Sequence, residues 1–290
     1  MAIPALNAAG PGGLAAPPAG HSGASAPLAP ADTRRASWAW AWRWLWAWPL
    51  PLAVLALWQL SAVGGWVPEQ VLPPPAAVFK VFAELLASGE LWDHLTISMV
   101  RVAGGFGIGL ALGLLLGGAM GLSPTFRDYV FPLFKAFSQV PVIGWLPLLI
   151  LLVGIDEGLK FLLIAKAALV PVAINTCQGI ENVPNRLVEV ARVYGYTRWQ
   201  MLRKVVFPAA TAPIWNGVRY GLTHAWLALV VVELLASSEG IGFLIVYGRQ
   251  LFQLDVVLAA VVAVGIVGFF IDKLLAATEA WLLRWRKPGL

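Results

Sequence analysis

Long apolar runs separated by short charged segments dominate the chain from about residue 45 onward. A helix needs about 20 consecutive apolar residues to cross a bilayer. The pattern predicts about six spans, at 45–63, 98–121, 130–153, 159–178, 216–237 and 256–276. Two stretches interrupt it. Residues 76–90, after Pro73-Pro74-Pro75, mix apolar and polar positions and are too polar to span, which suits a membrane surface. Residues 179–213 form a long basic loop between the fourth and fifth spans. Residues 1–33 are mostly Ala, Pro, Gly and Ser and cannot build a core, so a disordered tail is expected there. Residues 34–48 carry Trp38, Trp40, Trp42, Trp44, Trp46 and Trp48, an interfacial collar ahead of the first span. The rest divides into one transmembrane domain, 49–285, and a short tail, 286–290.

Composition agrees. The chain is 59% apolar and 12% charged, with mean hydropathy +0.77. Soluble domains run at roughly 45–50% apolar and 25% charged. This is an all-α membrane protein by pattern and by content.

The net charge of +5 acquires meaning from position. With the N-terminus inside, the inner segments hold thirteen of the twenty cations: Arg34, Arg35, Arg43, Arg127, Arg186, Arg192, Arg198, Arg203, Lys204, Arg219, Arg284, Arg286 and Lys287. Lys80, Arg101, Lys160 and Arg249 fall outside. That bias predicts N-in and C-in, and it accounts for the basic balance without nucleic acid. A lone cysteine, Cys177, excludes an intrachain disulfide, and His21, His94 and His224 are too scattered to suggest a metal site.

Inside the spans, three features carry chemistry. Gly105, Gly109, Gly113, Gly117 and Gly121 recur every fourth residue, giving one helix face without side chains, suited to close helix packing or to a sliding surface. Pro132, Pro141 and Pro147 break up span three, and Ser138 and Gln139 sit beside the central proline. A broken helix at membrane depth faces protein or a wet cavity, so this span is expected to line a path. The ionisable residues Lys135, Lys166, His224 and Glu233 are the remaining path candidates. Either lysine can snorkel to an interface or attract an anion. Glu233 has the wrong sign for an anion and suits an interhelical hydrogen bond.

The loop reads as two short helices. Asn182 and Pro184 suit the start of the first, and Gly195 its left-handed stop. Thr197 with Gln200 forms a capping box for the second, which Pro208 should end. A DNA-reading helix pair is excluded by tethering to spans at both ends. A plain connector and a docking element for a cytoplasmic partner remain. A secondary transporter would show internal repeats, and a membrane enzyme paired catalytic groups; neither is evident.

The run Glu189-Val190-Ala191, then Gly195, then Phe207-Pro208-Ala209-Ala210 resembles the EAA loop of permease subunits of binding-protein-dependent ABC importers. Glu189, Ala191, Gly195 and Pro208 fall on the family's glutamate, alanine, glycine and proline; Val190 departs from its usual second alanine. Trp92, Gly144-Trp145-Leu146-Pro147, Gly154-Ile155-Asp156-Glu157, Asn175-Thr176 and Ser238-Glu239-Gly240-Ile241-Gly242 resemble the branch importing aliphatic sulfonates, taurine, nitrate or bicarbonate. The resemblance implies a type I importer permease fold and a homodimeric pore in the bacterial inner membrane, set in lipid. It also implies cytoplasmic ATPase subunits binding ATP and Mg, and a periplasmic substrate-binding protein. No Gly-x-x-x-x-Gly-Lys-Ser/Thr loop occurs in the chain, so the chain is expected to hold no cofactor and not to be an enzyme itself.

Overall fold

The computed structural model describes residues 48–69 and 71–284. The predicted tail 1–33, all of the Trp-rich segment 34–48 except Trp48, and the end 286–290 lie outside the described residues. The chain divides into two units after Ala53. Of the first, only 48–53 are described, where α1 (Pro49–Val63) begins. The second, Val54–Leu290, holds the rest of α1 and every later helix.

All regular structure among the described residues is helical. After α1 come α2 (Pro75–Ser88), α3 (Glu90–Leu122) and α4 (Pro124–Gln139). A 3-10 turn, Val142–Trp145, leads into α5 (Leu146–Val153), followed by α6 (Glu157–Glu181) and α7 (Asn185–Val193). Then α8 (Arg198–Met201) runs through a π turn, Leu202–Val206, into α9 (Phe207–Ala236), and α10 (Ile241–Gln250) and α11 (Leu254–Leu282) close the order.

The central helix is α6. Leu159, Leu163, Ile164, Ala168, Val172 and Ala173 along it are all buried, between α3 on one side and α9 on the other. The glycine repeat is the reason α3 comes so close. A Cβ built at Gly105 would stand 2.6 Å from Ile164, and one at Gly113 would stand 2.8 Å from Val172. At Gly109 and Gly117 it would strike the backbone carbonyls of Ala165 and Ala173. Of the two readings of this stripe, close packing within one chain is what the structure contains. The order of these contacts makes α3 and α6 parallel. A Cβ built at Gly217 or Gly221 of α9 would likewise stand 2.7 Å from Asn175 or Val172, and the reversed order of these contacts makes α9 antiparallel to α6.

The segment 76–90 becomes α2, which turns its apolar face to protein rather than to a free surface. Val78 and Leu85 join Leu91, Ile164, Trp226 and Leu229 in the largest core cluster. Among the described residues three stretches are long and apolar enough to cross a membrane: α3, the α8–α10 stretch Arg198–Gln250, and α11. Within the second of these α10 folds back on α9, since a Cβ at Gly242 would stand 2.8 Å from the Val230 carbonyl. Span three is a bent pair, α4 against the stretch Val142–Val153 at 94°. Only the middle proline marks the break: Pro132 stays inside α4 and Pro147 lies at the start of α5. At 15 residues α1 is about 22 Å long, short of the roughly 30 Å hydrocarbon core.

Candidate functional site

The loop between α6 and α9 is built by local chemistry. Asn182 ends α6 instead of capping α7; its N–H reaches the Gln178 carbonyl at 2.9 Å. Pro184 occupies the N-cap position with φ −56° and ψ 125°, an extended conformation, so α7 can start only at Asn185, and no side chain caps it. Gly195 closes α7 with φ +71°. There the Tyr196 N–H reaches back to the Ala191 carbonyl at 3.0 Å and the Gly195 N–H to Arg192 at 2.9 Å, the hydrogen-bond pattern of a left-handed helix stop. The Thr197 capping box forms in both directions, with Gln200 N–H donating to Thr197 Oγ1 at 3.3 Å and Thr197 N–H to Gln200 Oε1 at 2.9 Å.

Pro208, however, does not end the second helix. It is the second residue of α9, and the helix passes from α8 to α9 without interruption. A proline lacks a donor and its ring crowds the preceding turn. The wider π turn at Leu202–Val206 accommodates both, which is how the chain continues.

Ile180, Val183, Val206 and Ala210 hold the base of this loop together. Ala191 is buried, while Leu187, Val190, Tyr194 and Tyr196 are exposed around a groove of about 450 Å³ whose far wall is Lys204, Val205, Pro208 and Ala209. Trp199 and Val193 are also exposed. Glu189 is exposed and pairs with no cation among the described residues. The element thus presents apolar groups together with cations that pair with no carboxylate among the described residues.

A second feature lies at the break in span three. Ser138, Lys166 and His224 line one pocket of about 420 Å³, formed by the end of α4, the turn after it, α6 and α9. The Lys166 ammonium donates to the Val140 carbonyl. It stands 5.4 Å from the Phe137 ring centre and 5.9 Å from that of Trp145. Lys135 and Gln139 are exposed and are not among its lining residues.

A third feature joins α3, α6, α9 and the turn before α10 at the end remote from the loop. Arg101, 2% exposed, donates through Nη1 to Glu233 Oε1 at 2.9 Å and to the Glu239 carbonyl at 2.8 Å. Through Nε and Nη2 it holds both oxygens of Glu157, at 2.8 and 2.6 Å. Ser98 Oγ lies 2.8 and 2.9 Å from the two Glu233 oxygens and accepts from the Ile241 N–H at 3.0 Å. The Gly242 N–H donates to Glu233 Oε2 at 3.0 Å, and the Gly240 N–H to His94 Nδ1 at 3.0 Å. Lys160 completes the group by donating to Glu157, so two cations face two carboxylates. Glu157, ahead of the predicted span 159–178, is held down to about 2, chiefly by the hydrogen bond from Arg101 and against the upward push of burial.

Residues 109–284 match the family model described as the binding-protein-dependent transport system inner membrane component. The chain belongs to this family. It is 42% identical over 233 residues to a Bacillus subtilis protein bearing the name of an aliphatic sulfonates transport permease, SsuC, covering 80% of this chain and 84% of that one. The protein of the same name in Escherichia coli is 40% identical over 232 residues, covering 80% and 88%. The taurine transport system permease protein TauC of Escherichia coli is 33% identical over 237 residues, covering 80% and 86%. The chain, whose regular structure is all helical among the described residues, is therefore an ABC importer permease of the sulfonate and taurine branch, with a type I importer permease fold and several membrane-crossing helices.

In this permease the four residues read from the EAA-type pattern share one element. Ala191 and Pro208 face each other across the groove, Gly195 makes its turn, and Glu189 stands free on its surface. Of the six path candidates, Ser138, Lys166 and His224 come together, whereas Glu233 is sealed in the Arg101 group. Two cations assigned to outer segments, Arg101 and Lys160, are buried in that group. Ser98, Arg101 and Glu157 were not among the candidates. The available signal was Ser98 and Arg101 three apart, hence on one face of an otherwise apolar helix.

Proposed function

We propose that two copies of this permease form the translocation path of an ATP-driven importer for a small anionic solute, an aliphatic sulfonate. The observation that carries the reading is the loop of α7, Gly195 and α8. It is rigidly capped and anchored beneath, yet it exposes Leu187, Val190, Tyr194 and Trp199 beside a basic surface. A helix pair of this kind fits a groove in another protein. In our reading that protein is a cytoplasmic ATPase, which binds the ATP and Mg, and a periplasmic binding protein delivers the solute at the opposite end. The chain then crosses the bacterial inner membrane about six times, N-in and C-in, because the loop and most cations share one side. The names of the SsuC relatives support a sulfonate. TauC, at lower identity, supports taurine as the second reading.

A strain lacking the gene is expected to lose uptake of labelled alkanesulfonate and to regain it with the gene on a plasmid. Unimpaired uptake of alkanesulfonates, taurine and nitrate alike would overturn the assignment. The docking role has its own test. A Cβ at Gly195 meets nothing within 4 Å, so only its φ of +71° opposes substitution. Gly195→Val is expected to cost about 1–2 kcal/mol, confined to the turn. The protein should therefore assemble while ATP hydrolysis continues without uptake. Gly195→Asn, which tolerates this backbone, should keep transport. Normal uptake by a normally expressed Gly195→Val protein would sink the role.

A further inference from the structure

We propose that Lys166 recognises the anionic head of the transported solute and that the apolar remainder of its pocket receives a short alkyl chain. The proposal rests on the importer reading above.

Lys166 is a cation without a counter-ion. No carboxylate among the described residues lies within 4.0 Å of its ammonium. A lysine at membrane depth is costly and is ordinarily paired. The permease treats its two buried cations in that way, giving Arg101 two carboxylates and Lys160 one. Glu233 is not available to Lys166, since Arg101, Ser98 and Gly242 engage its oxygens. What Lys166 does have is a carbonyl and two rings, which stabilise an ammonium without neutralising it. Of its three donors one is engaged by Val140, leaving two for an incoming acceptor.

The walls limit what that acceptor is attached to. Ser138 donates its hydroxyl proton to the Lys135 carbonyl at 2.7 Å, so it offers no donor to an anion. Among the described residues His224 is the only other polar side chain lining the pocket; the rest is Val, Pro, Ile, Ala and Leu. At about 420 Å³ the pocket falls within the roughly 300–1,000 Å³ of small-molecule sites. A sulfonate with a carbon tail matches both parts: three acceptor oxygens for Lys166 and His224, and a chain for the apolar wall. Nitrate or bicarbonate would use the cation and leave the wall empty.

The test uses the importer complex purified in detergent through this chain, with hexanesulfonate as probe and hexanol as uncharged control. Hexanesulfonate is expected to raise the unfolding midpoint of the wild-type complex, and hexanol is not. Lys166→Met should abolish that rise and lower uptake of labelled hexanesulfonate about tenfold or more, the scale of a lost charge-assisted hydrogen bond. Lys166→Arg should retain both. A Lys166→Met complex stabilised like wild type overturns the proposal. So does loss of the response in both variants with assembly intact, which would mark a structural lysine. A wild-type complex that transports no sulfonate would instead sink the importer reading. Wild-type transport with an unaffected Lys166→Met variant sinks only the assignment of Lys166.

Discussion

Arg101→Met is expected to leave little folded permease. The replacement is close in length and apolar, so the loss does not come from a hole. It comes from Glu233, a carboxylate 1% exposed whose only cation within 4.0 Å among the described residues is Arg101. Removing one partner of a buried pair costs about 3–5 kcal/mol, because the other charge remains without compensation. That is comparable to much of the roughly 5–15 kcal/mol that holds a typical domain together. Removing both partners has a different sign. Arg101→Met with Glu233→Met removes both charges of the buried pair and leaves the remaining buried cation, Lys160, on its partner Glu157, whose half-exposed carboxylate can also turn to solvent. The double variant should recover most of the lost stability. Thermal unfolding in detergent and the yield of monodisperse protein check both statements. A single Arg101→Met variant as stable as wild type would show that the cluster contributes nothing.

The second large effect is expected at Gly109. A methyl group there meets the Ala165 backbone carbonyl and stands 2.7 Å from the Ala168 Cβ. Neither neighbour is the end of a flexible side chain, so α3 and α6 must separate along their length. Overpacking of a tight core costs about 1–3 kcal/mol, and Gly109→Val should lie at or beyond the top of that range. Gly107, two residues away, is the matched control. A Cβ at Gly107 meets nothing within 4 Å, so Gly107→Ala should be neutral or stabilise by up to about 1 kcal/mol through helix propensity. The same unfolding measurement reads both, and equal responses at the two positions would refute the close α3–α6 contact as the role of the stripe.

Features whose cause lies within a few residues were legible in the sequence. The Thr197–Gln200 box, the Gly195 turn and the four-residue glycine period are of this kind, and all three took the expected form. The break in span three also followed from composition, though the sequence offered three prolines and the chain turns at only one. Pro141 is the one followed by a new 3-10 turn, while Pro132 and Pro147 are absorbed by helices. What could not be read was long-range partnership. Arg101 meets carboxylates 56 and 132 positions away, so by position it read as one more outer charge. Lys166, Ser138 and His224 meet because α6 and α9 flank the break, a relation that no spacing encodes. Pro208 failed in the other direction: the local rule was sound, and the π turn before it supplied an exception that hydrophobic pattern does not register.

That exception has a mechanical consequence. Since the helix does not stop at Pro208, residues 198–236 form one rod on the order of 55 Å long at the usual helical rise. Its first turn carries Trp199 in the exposed loop, and near its other end it carries Glu233 in the Arg101 cluster. A tilt imposed on the Trp199 end pivots the opposite end, with only the π turn and Pro213 inside α9 as places where the helix can bend. The two ends of the permease behave as the arms of a lever, and the stiffness of the π turn sets how faithfully one follows the other.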